Sequence, residues 1–492
     1  MVMQRIPVLL TIILFGAFLG SCTKGLEEMN INPNESVNTN PEFLLSNVLI
    51  ATAYGYQKDA YWDKPASAGR YITMVRNEGN DKFSWSPQSW DDYYSRLSTN
   101  YVMMDIATKQ GQLQYLPIGK ILEAFNFAYI TDLYGDVPYT DALKLKENRN
   151  PYPKYDQQKD IYPALLKTLK DANDQLATTT VAIPKAYDPM YGGVYMKWRK
   201  LANSLRLRML LRISKNYPSA FTEMQEIVNN PSKYPIFEGN EDNAEVAYID
   251  GTKDNFWPGS NEANDFSEFD KRKPSKEIVD ALLQRNDPRL QVWIAPRDNP
   301  AGGTVDKNLY VGVPNAVPAP YDYNGGAAFV SRLSAMFNTK VHPMVKASLI
   351  TYAEVCFTLA EVAQAGKVNV PGKTAEALYY AGIRANMKYY GVEQKADDDK
   401  YFDQPAVKYN GTLEQLIVQK WISNFLKGAE GWFDHRRTGF PKFVLGPSAA
   451  YKTIPTRYLY PSGEWNLNRD QYQKALTVFG EDKLFTLMWY LK

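Results

Sequence analysis

The chain has 492 residues, 56 Lys and Arg against 54 Asp and Glu, two His, two Cys and a mean hydropathy of −0.42. The near-neutral balance leaves no electrostatic footprint for nucleic acid and argues against a strongly steered acidic substrate. Two Cys give no disulfide framework, and the length is ample for a large buried core.

The first element is a leader. Arg5 is followed by a nearly unbroken apolar run, Ile6–Leu19, too short for the ~20 residues of a spanning helix but suited to a secretory signal. Gly20 and Ser21 are the small residues before the cut, and Cys22 follows at once. Leu19-Gly20-Ser21-Cys22 resembles a bacterial lipobox, in which the Cys is acylated and becomes the new N-terminus. Residues 1–21 are therefore expected to be a lipoprotein signal peptide, and 22–40 a lipidated Cys and flexible tether, polar, Asn-rich and broken by Pro33 and Pro41. Loss of the leader removes one Arg and leaves 55 basic against 54 acidic residues. Nothing beyond residue 22 is long and apolar enough to span a bilayer. Cys356, the one other Cys, lies in a helix-like run and is expected to pack in the core.

Helical periodicity recurs from residue 41 onward. It marks PEFLLSNVLIATAYGYQ, IGKILEAFNFAYITDLYG, DIYPALLKTLKDANDQL, MKWRKLANSLRLRMLLRIS, SLITYAEVCFTLAEVAQAG, TAEALYYAGIRANMKYYG and TLEQLIVQKWISNFLKGAEGWFDHRR. In the fourth run Trp198, Leu201, Leu205, Met209 and Ile213 form one stripe, with Arg208 and Arg212 on another face, expected to be solvated or paired with acids. Short helices in pairs suggest a tetratricopeptide-like arrangement, although no clean 34-residue repeat is present. Two long aperiodic segments, 237–269 and 295–329, carry aromatics (Phe256, Trp257, Tyr310, Tyr321 and Tyr323) and are expected to be ordered walls of a binding site.

No catalytic pattern stands out. His435 adjoins Asp434, but neighbouring helix residues point apart. HExxH, GxSxG, GxGxxG and CxxC are absent, and GKVNVPGKT (366–374) misses the P-loop spacing by one residue. The run Asp397-Asp398-Asp399 reads as a solvated loop before it reads as a cation site. No cofactor, metal or catalytic residue is expected.

Ordered stretches along the chain resemble the SusD/RagB-like outer-membrane lipoproteins: NINPN (30–34), DLYGDVPYTDAL (132–143), WRKLANSLRLRMLLRIS (198–214), PSKEIVDALLQRNDPRL (274–290), ITYAEVCFTLAEVAQAG (350–366), QKWISNFLKGAEGWFDHRRTGFP (419–441) and IPTRYLYPSGEWNLN (454–468). The resemblance implies a mainly all-α fold, a TPR-like helix-pair superhelix with long irregular insertions, in one SusD-like nutrient-binding domain over 41–492. It further implies a surface-exposed outer-membrane protein that delivers nutrient to a SusC-like TonB-dependent transporter, with no nucleic-acid partner and no enzymatic role. Asp136, Pro138, Arg206, Glu354, Arg436 and Arg437 fall in these signatures and are read as buried pairs, turns and caps.

The expected cargo is a glycan fragment; a peptide is the alternative, and a surface glycoside hydrolase a more remote one. Stacking a sugar on one ring hides ~100 Å², worth roughly 2–3 kcal/mol before ordering costs, whereas millimolar binding needs about 4 kcal/mol. Two or more rings with hydrogen-bonding partners are therefore required. The candidate ligand contacts are Trp62, Trp85, Trp257 and Trp465, with Arg76 and Asp81 beside Trp85.

Overall fold

The computed structural model describes residues 39–76, 78–145, 149–263, 269–298 and 309–492, apart from the side chains of 60–62. Cys22, the tether to residue 38 and the ring of Trp62 lie outside these residues.

Helices dominate. The first group is α1 (Pro41–Trp62), α2 (Lys64–Ala68), α3 (Asp91–Lys109), α4 (Leu116–Tyr134), α5 (Gln158–Thr178), α6 (Tyr195–Ile213) and α7 (Ala220–Asn229). After a loop-rich stretch with α8 (Lys276–Leu283) and α9 (Arg289–Trp293) come α10 (Tyr352–Gln364), α11 (Ala375–Tyr389), α12 (Glu393–Asp398), α13 (Leu413–Ser423) and α14 (Glu430–Thr438). The chain closes with α15 (Ser462–Leu467) and α16 (Arg469–Phe479). Consecutive helices pack in pairs, α3 on α4, α4 on α5, α5 on α6 and α10 on α11, while α6 also meets α10 and joins the two groups. The helix-pair architecture expected from the sequence is thus present.

Strands are short and occur as separate antiparallel pairs. Those numbered β1 (Ile72–Met74), β2 (Val137–Pro138), β3 (Tyr155–Asp156), β4 (Ala244–Ala247), β5 (Arg272–Pro274), β6 (Ile294–Ala295), β7 (Arg332–Leu333) and β8 (Lys346–Ile350) pair as β1–β5, β2–β3, β4–β8 and β6–β7. They pin the loops to the helical body rather than forming a layer.

Several helix starts follow from local chemistry. Thr351, Thr374 and Thr412 accept from the backbone N–H three residues on at 3.3, 3.1 and 3.4 Å, and so cap α10, α11 and α13. Ser275 caps α8 in the same way, at 3.2 Å from the Ile278 nitrogen. The run 412–437 is two helices, not one, separated at residues 424–429 where Leu426 and Gly428 take positive φ.

On α6 every residue from Leu201 to Ile213 is buried, so Arg208 and Arg212 are not solvated; they are paired with acids. Arg208 holds Glu354 of α10 through two contacts of 2.6 Å, and Glu430 of α14 lies 3.7 Å away. Arg212 pairs with both Asp132 of α4 and Glu430. Tyr162 donates to Asp132 at 2.6 Å, and Tyr56 to Glu430 at 3.1 Å. Arg436 donates to the backbone carbonyls of Thr456 and Asp132 at 2.7 and 2.6 Å. One turn further along α14, Asp434 binds Lys420 at 2.8 Å and Arg437 at 2.9 Å, and Arg437 also grips Glu361 of α10. Despite burial, which pushes Asp434 up, Lys420 and Arg437 hold it well below the usual carboxylate range.

The remaining signature residues also play structural parts. The Asp136 carboxylate accepts from the Gln158 N–H at 2.8 Å at the start of α5, and Arg206 stacks on Tyr234 at 5.1 Å. Cys356 is buried, and burial raises its thiol to about 11.

Removing one partner of a buried pair strands the other charge, at a typical cost of about 3–5 kcal/mol. Glu430→Gln is expected to destabilise the protein by that order in urea denaturation. Lys167→Ala, which breaks an exposed i,i+4 pair with Asp171, is expected to cost under about 1 kcal/mol.

Candidate ligand-binding surface

Three segments far apart in sequence converge on β1 and β5: residues 75–85, 309–334 and 440–456. The middle segment is held mainly through its backbone. Val313 donates to the Pro274 carbonyl at 3.0 Å and accepts from the Lys276 N–H at 2.9 Å and the Thr73 hydroxyl at 2.6 Å. Asn315 donates to the Ile72 carbonyl at 2.7 Å. From the third segment the Ser448 N–H reaches the Ala316 carbonyl and the Ala450 N–H the Lys82 carbonyl, both at 2.8 Å. Gly446 is needed here, because a Cβ would sit 2.2 Å from the Asn315 carbonyl oxygen. Beneath lies a small apolar cluster of Val75, Val313 and Val330, with Tyr323 packed against it. Ala316, Ala319 and Asn324 adopt φ of 54°, 45° and 56°, a conformation that costs energy for residues with a Cβ and tends to mark functional segments.

On this cluster Arg76 is exposed, and its guanidinium lies 4.9 Å from the ring centre of Tyr321, which is 47% exposed. An aromatic face next to a cation is suited to a ligand with both apolar and hydrogen-bonding edges. The sequence named Arg76 as a contact; Tyr321 entered only as an aromatic of a long loop. Their pairing across 245 positions has no sequence signal.

Other predicted contacts take different places, and three correct the expectation outright. Trp257 is 0% and Trp85 5% exposed, so neither ring offers a face for stacking. Trp85 donates to the Asn80 carbonyl at 2.9 Å and packs edge-on against Trp432 and Tyr458. Trp257 donates to the Phe337 carbonyl at 2.9 Å and packs against Tyr248. Both are large side chains that anchor their loops in the main core. Asp81 is buried too, accepting from the Met74 N–H at 2.7 Å and so fixing the turn that follows Arg76. Trp465 is 41% exposed on α15, away from any contact with Arg76 or Tyr321 that would join it to this surface.

The segment 237–269 was expected to wall a site. Its Phe256 and Pro258 border an open cleft of about 370 Å³ with Tyr54 and Lys58 of α1. The acidic run is not a free loop: Asp397 and Asp398 are in α12, Arg384 grips Asp397 at 2.9 and 3.0 Å, and Lys395 binds Asp399 at 2.7 Å. His435 faces the Pro441 carbonyl at 2.9 Å, and burial lowers its pKa to about 4, so it is neutral at physiological pH.

Comparison with known proteins bears on this architecture directly. The SusD-like family model, described as starch-binding and associating with the outer membrane, matches residues 33–461. The chain belongs to the SusD-like family. Its members are nutrient-binding proteins associated with the outer membrane. A SusD homologue from Bacteroides fragilis is 25% identical, covers 92% of this chain and 99% of its own, and superposes with a TM-score of 0.79. An outer-membrane protein from Bacteroides vulgatus, for which a part in nutrient binding is inferred, is 27% identical over 92% of this chain and 100% of its own, with a TM-score of 0.80. A chitin-binding SusD homologue from Flavobacterium johnsoniae is 22% identical over 91% and 98%, with a TM-score of 0.74, and shows the fold alone. No curated protein matches the sequence. Among the described residues, no helix is long and apolar enough to cross a membrane.

Burial raises Asp81 to about 6, so folding favours its protonated form. That contribution is fully present below the unfolded value near 4 and is lost as pH rises through about 6. Asp81→Asn, which keeps an acceptor for Met74, is therefore expected to gain stability relative to the parent between pH 5 and pH 7.5. The difference should approach about 1.4 kcal/mol per pH unit below the folded pKa and then level off, read from thermal midpoints at each pH.

Proposed function

We propose that this SusD-like protein is a cell-surface lipoprotein, anchored to the outer membrane through Cys22, that captures glycan fragments and passes them to a SusC-like TonB-dependent transporter. The observation that carries the reading is the exposed Arg76–Tyr321 pair on a rigid loop platform of a nutrient-binding scaffold. The Tyr321 ring supplies the stacking face and Arg76 the hydrogen bonds to hydroxyls, while the helical body keeps both in place. A fold relative that binds chitin is in keeping with a saccharide cargo. Trp62 and Trp465 are retained as candidate ligand contacts, Trp465 as an exposed ring on α15. The protein acts as a binder and leaves its cargo chemically intact.

One observation favours the peptide alternative. With Trp85 and Trp257 buried, fewer large aromatic platforms are available than a glycan site with several stacked rings would use, and Arg76 suits a carboxylate or a backbone carbonyl equally well.

In affinity gels across a polysaccharide panel, the soluble protein is expected to be retarded by at least one glycan, with Arg76→Ala and Tyr321→Ala each weakening binding by about tenfold, the loss of one stacked ring or one charge-assisted hydrogen bond. Trp465→Ala is expected to have the smaller effect. Heat of binding with a peptide digest, and no retardation by any glycan, would transfer the function to peptide uptake. Cys22→Ser is expected to abolish incorporation of labelled palmitate and to move the protein from the membrane to the soluble fraction.

A further inference from the structure

The open cleft of about 370 Å³ between α1 and the segment 252–263 falls within the size range of small-molecule pockets, about 300–1,000 Å³. Its loop wall is pinned from beneath. The Trp257 N–H donates to the Lys340 carbonyl at 2.8 Å and its indole N–H to the Phe337 carbonyl at 2.9 Å, while the Asn261 N–H reaches Asn338 Oδ1 at 2.9 Å. Phe256 and Pro258, on either side of that anchor, line the cleft and are partly exposed. Tyr54, from α1, is held by its hydroxyl, which donates to the Ala247 carbonyl at 2.7 Å, and by its ring, 4.5 Å from that of Tyr248.

The helix wall is cationic. Lys58 lines the cleft, is exposed, and has no carboxylate partner among the described residues. Gly55 lies one turn before it on the same face, and the guanidinium of Arg96, from α3, lies across that glycine: a Cβ there would sit 2.2 Å from Nη1. Arg96 is steadied by its Nε, which donates to the Asp92 carbonyl at 2.9 Å, and by the Tyr93 ring 4.9 Å away. Its two Nη groups have no hydrogen-bond acceptor among the described residues. Asp59 lies within electrostatic reach of Arg96 but accepts from Tyr129 and Tyr93 instead, at 2.7 and 3.1 Å. On the loop side the charges are matched already. Lys253 adjoins Asp254, and Lys340, 5.1 Å from the Phe256 ring centre, binds Asp250 and Glu262 at 3.2 and 3.7 Å. Two cations without an acceptor, set beside apolar ring surface, fit a carboxylate carried on a ring.

We propose that the cleft between α1 and the segment 252–263 is a second binding site, for a small ring bearing a carboxylate. Lys58 and Arg96 receive the carboxylate, and Phe256 meets the apolar face of the ring. The site shares no residue with the Arg76–Tyr321 surface and does not rest on the glycan reading of it. A uronic acid and an aromatic acid both carry this chemistry, and the test separates them.

The test is titration of the purified protein with methyl glucuronoside, benzoate and neutral methyl glucoside, followed by saturation-transfer NMR. At least one of the two acids is expected to bind saturably, with the glucoside at least about tenfold weaker, and Lys58→Gln and Arg96→Gln each weakening acid binding about tenfold. Binding of the glucuronoside assigns the site to an acidic sugar, and binding of benzoate alone to an aromatic acid. The site is overturned if neither acid binds saturably, or if the glucoside binds as tightly as the acids. Acid binding undiminished in both Gln variants, as when the acid is held by Arg76, overturns it as well. Should Arg96→Gln, which also loses its contact with Tyr93, fail to fold, the exposed Lys58→Gln decides alone: about tenfold weaker binding supports the site, and unchanged binding removes it.

Discussion

Glu430 stands between two arginines, Arg208 and Arg212, and much of the helical body is organised around that contact. Through it α14 is joined to α6, and through the arginines' other partners α6 is joined to α10 and α4. Three cations, Arg208, Arg212 and Arg436, are gathered among three carboxylates, Asp132, Glu354 and Glu430, so the interior is close to electrically balanced. Such pairing is a poor source of net stability, because desolvation consumes most of the attraction. Its effect lies in geometry. A bidentate Arg208–Glu354 pair and the shared Glu430 permit little sliding of one helix along another, since any shift would leave a charge in a dry interior without its partner.

That rigidity lets the loops be long. The segments 75–85, 309–334 and 440–456 share only a small apolar cluster, Val75, Val313 and Val330; otherwise they lean on β1, β5 and the helices through backbone hydrogen bonds and a few large side chains. Trp85 and Trp257 each contribute a deeply set ring together with an N–H bonded to a main-chain carbonyl, which fixes both position and orientation. Asp81 closes the turn below Arg76. The outcome is a surface whose frame is set by buried residues and whose rim, Arg76 and Tyr321 included, is turned to solvent.

How much of this is legible in the sequence depends on the interaction. Helices with a strong apolar stripe, such as α5, stand out by period alone, and so does the leader before Cys22. Helix α3 does not, because its buried face is Tyr93, Leu97, Asn100, Met103 and Met104, a mixture in which polar and aromatic residues blur the stripe. Arg208 and Arg212 mark a polar face by pattern, yet the partners that bury them are on α4, α10 and α14, separated by up to 218 residues. The site suffered from the same blindness. A Trp in aperiodic sequence has the same local signature whether it anchors a loop or receives a ligand, and only long-range packing separates Trp85 and Trp257 from Tyr321.

The reliance of the 309–334 segment on main-chain contacts has an evolutionary corollary. Bonds such as Val313 to Pro274 and Ser448 to Ala316 are indifferent to the side chains carried by those residues. Replacement at the rim therefore leaves the frame standing, and selection can retune what is recognised one residue at a time without renegotiating the fold.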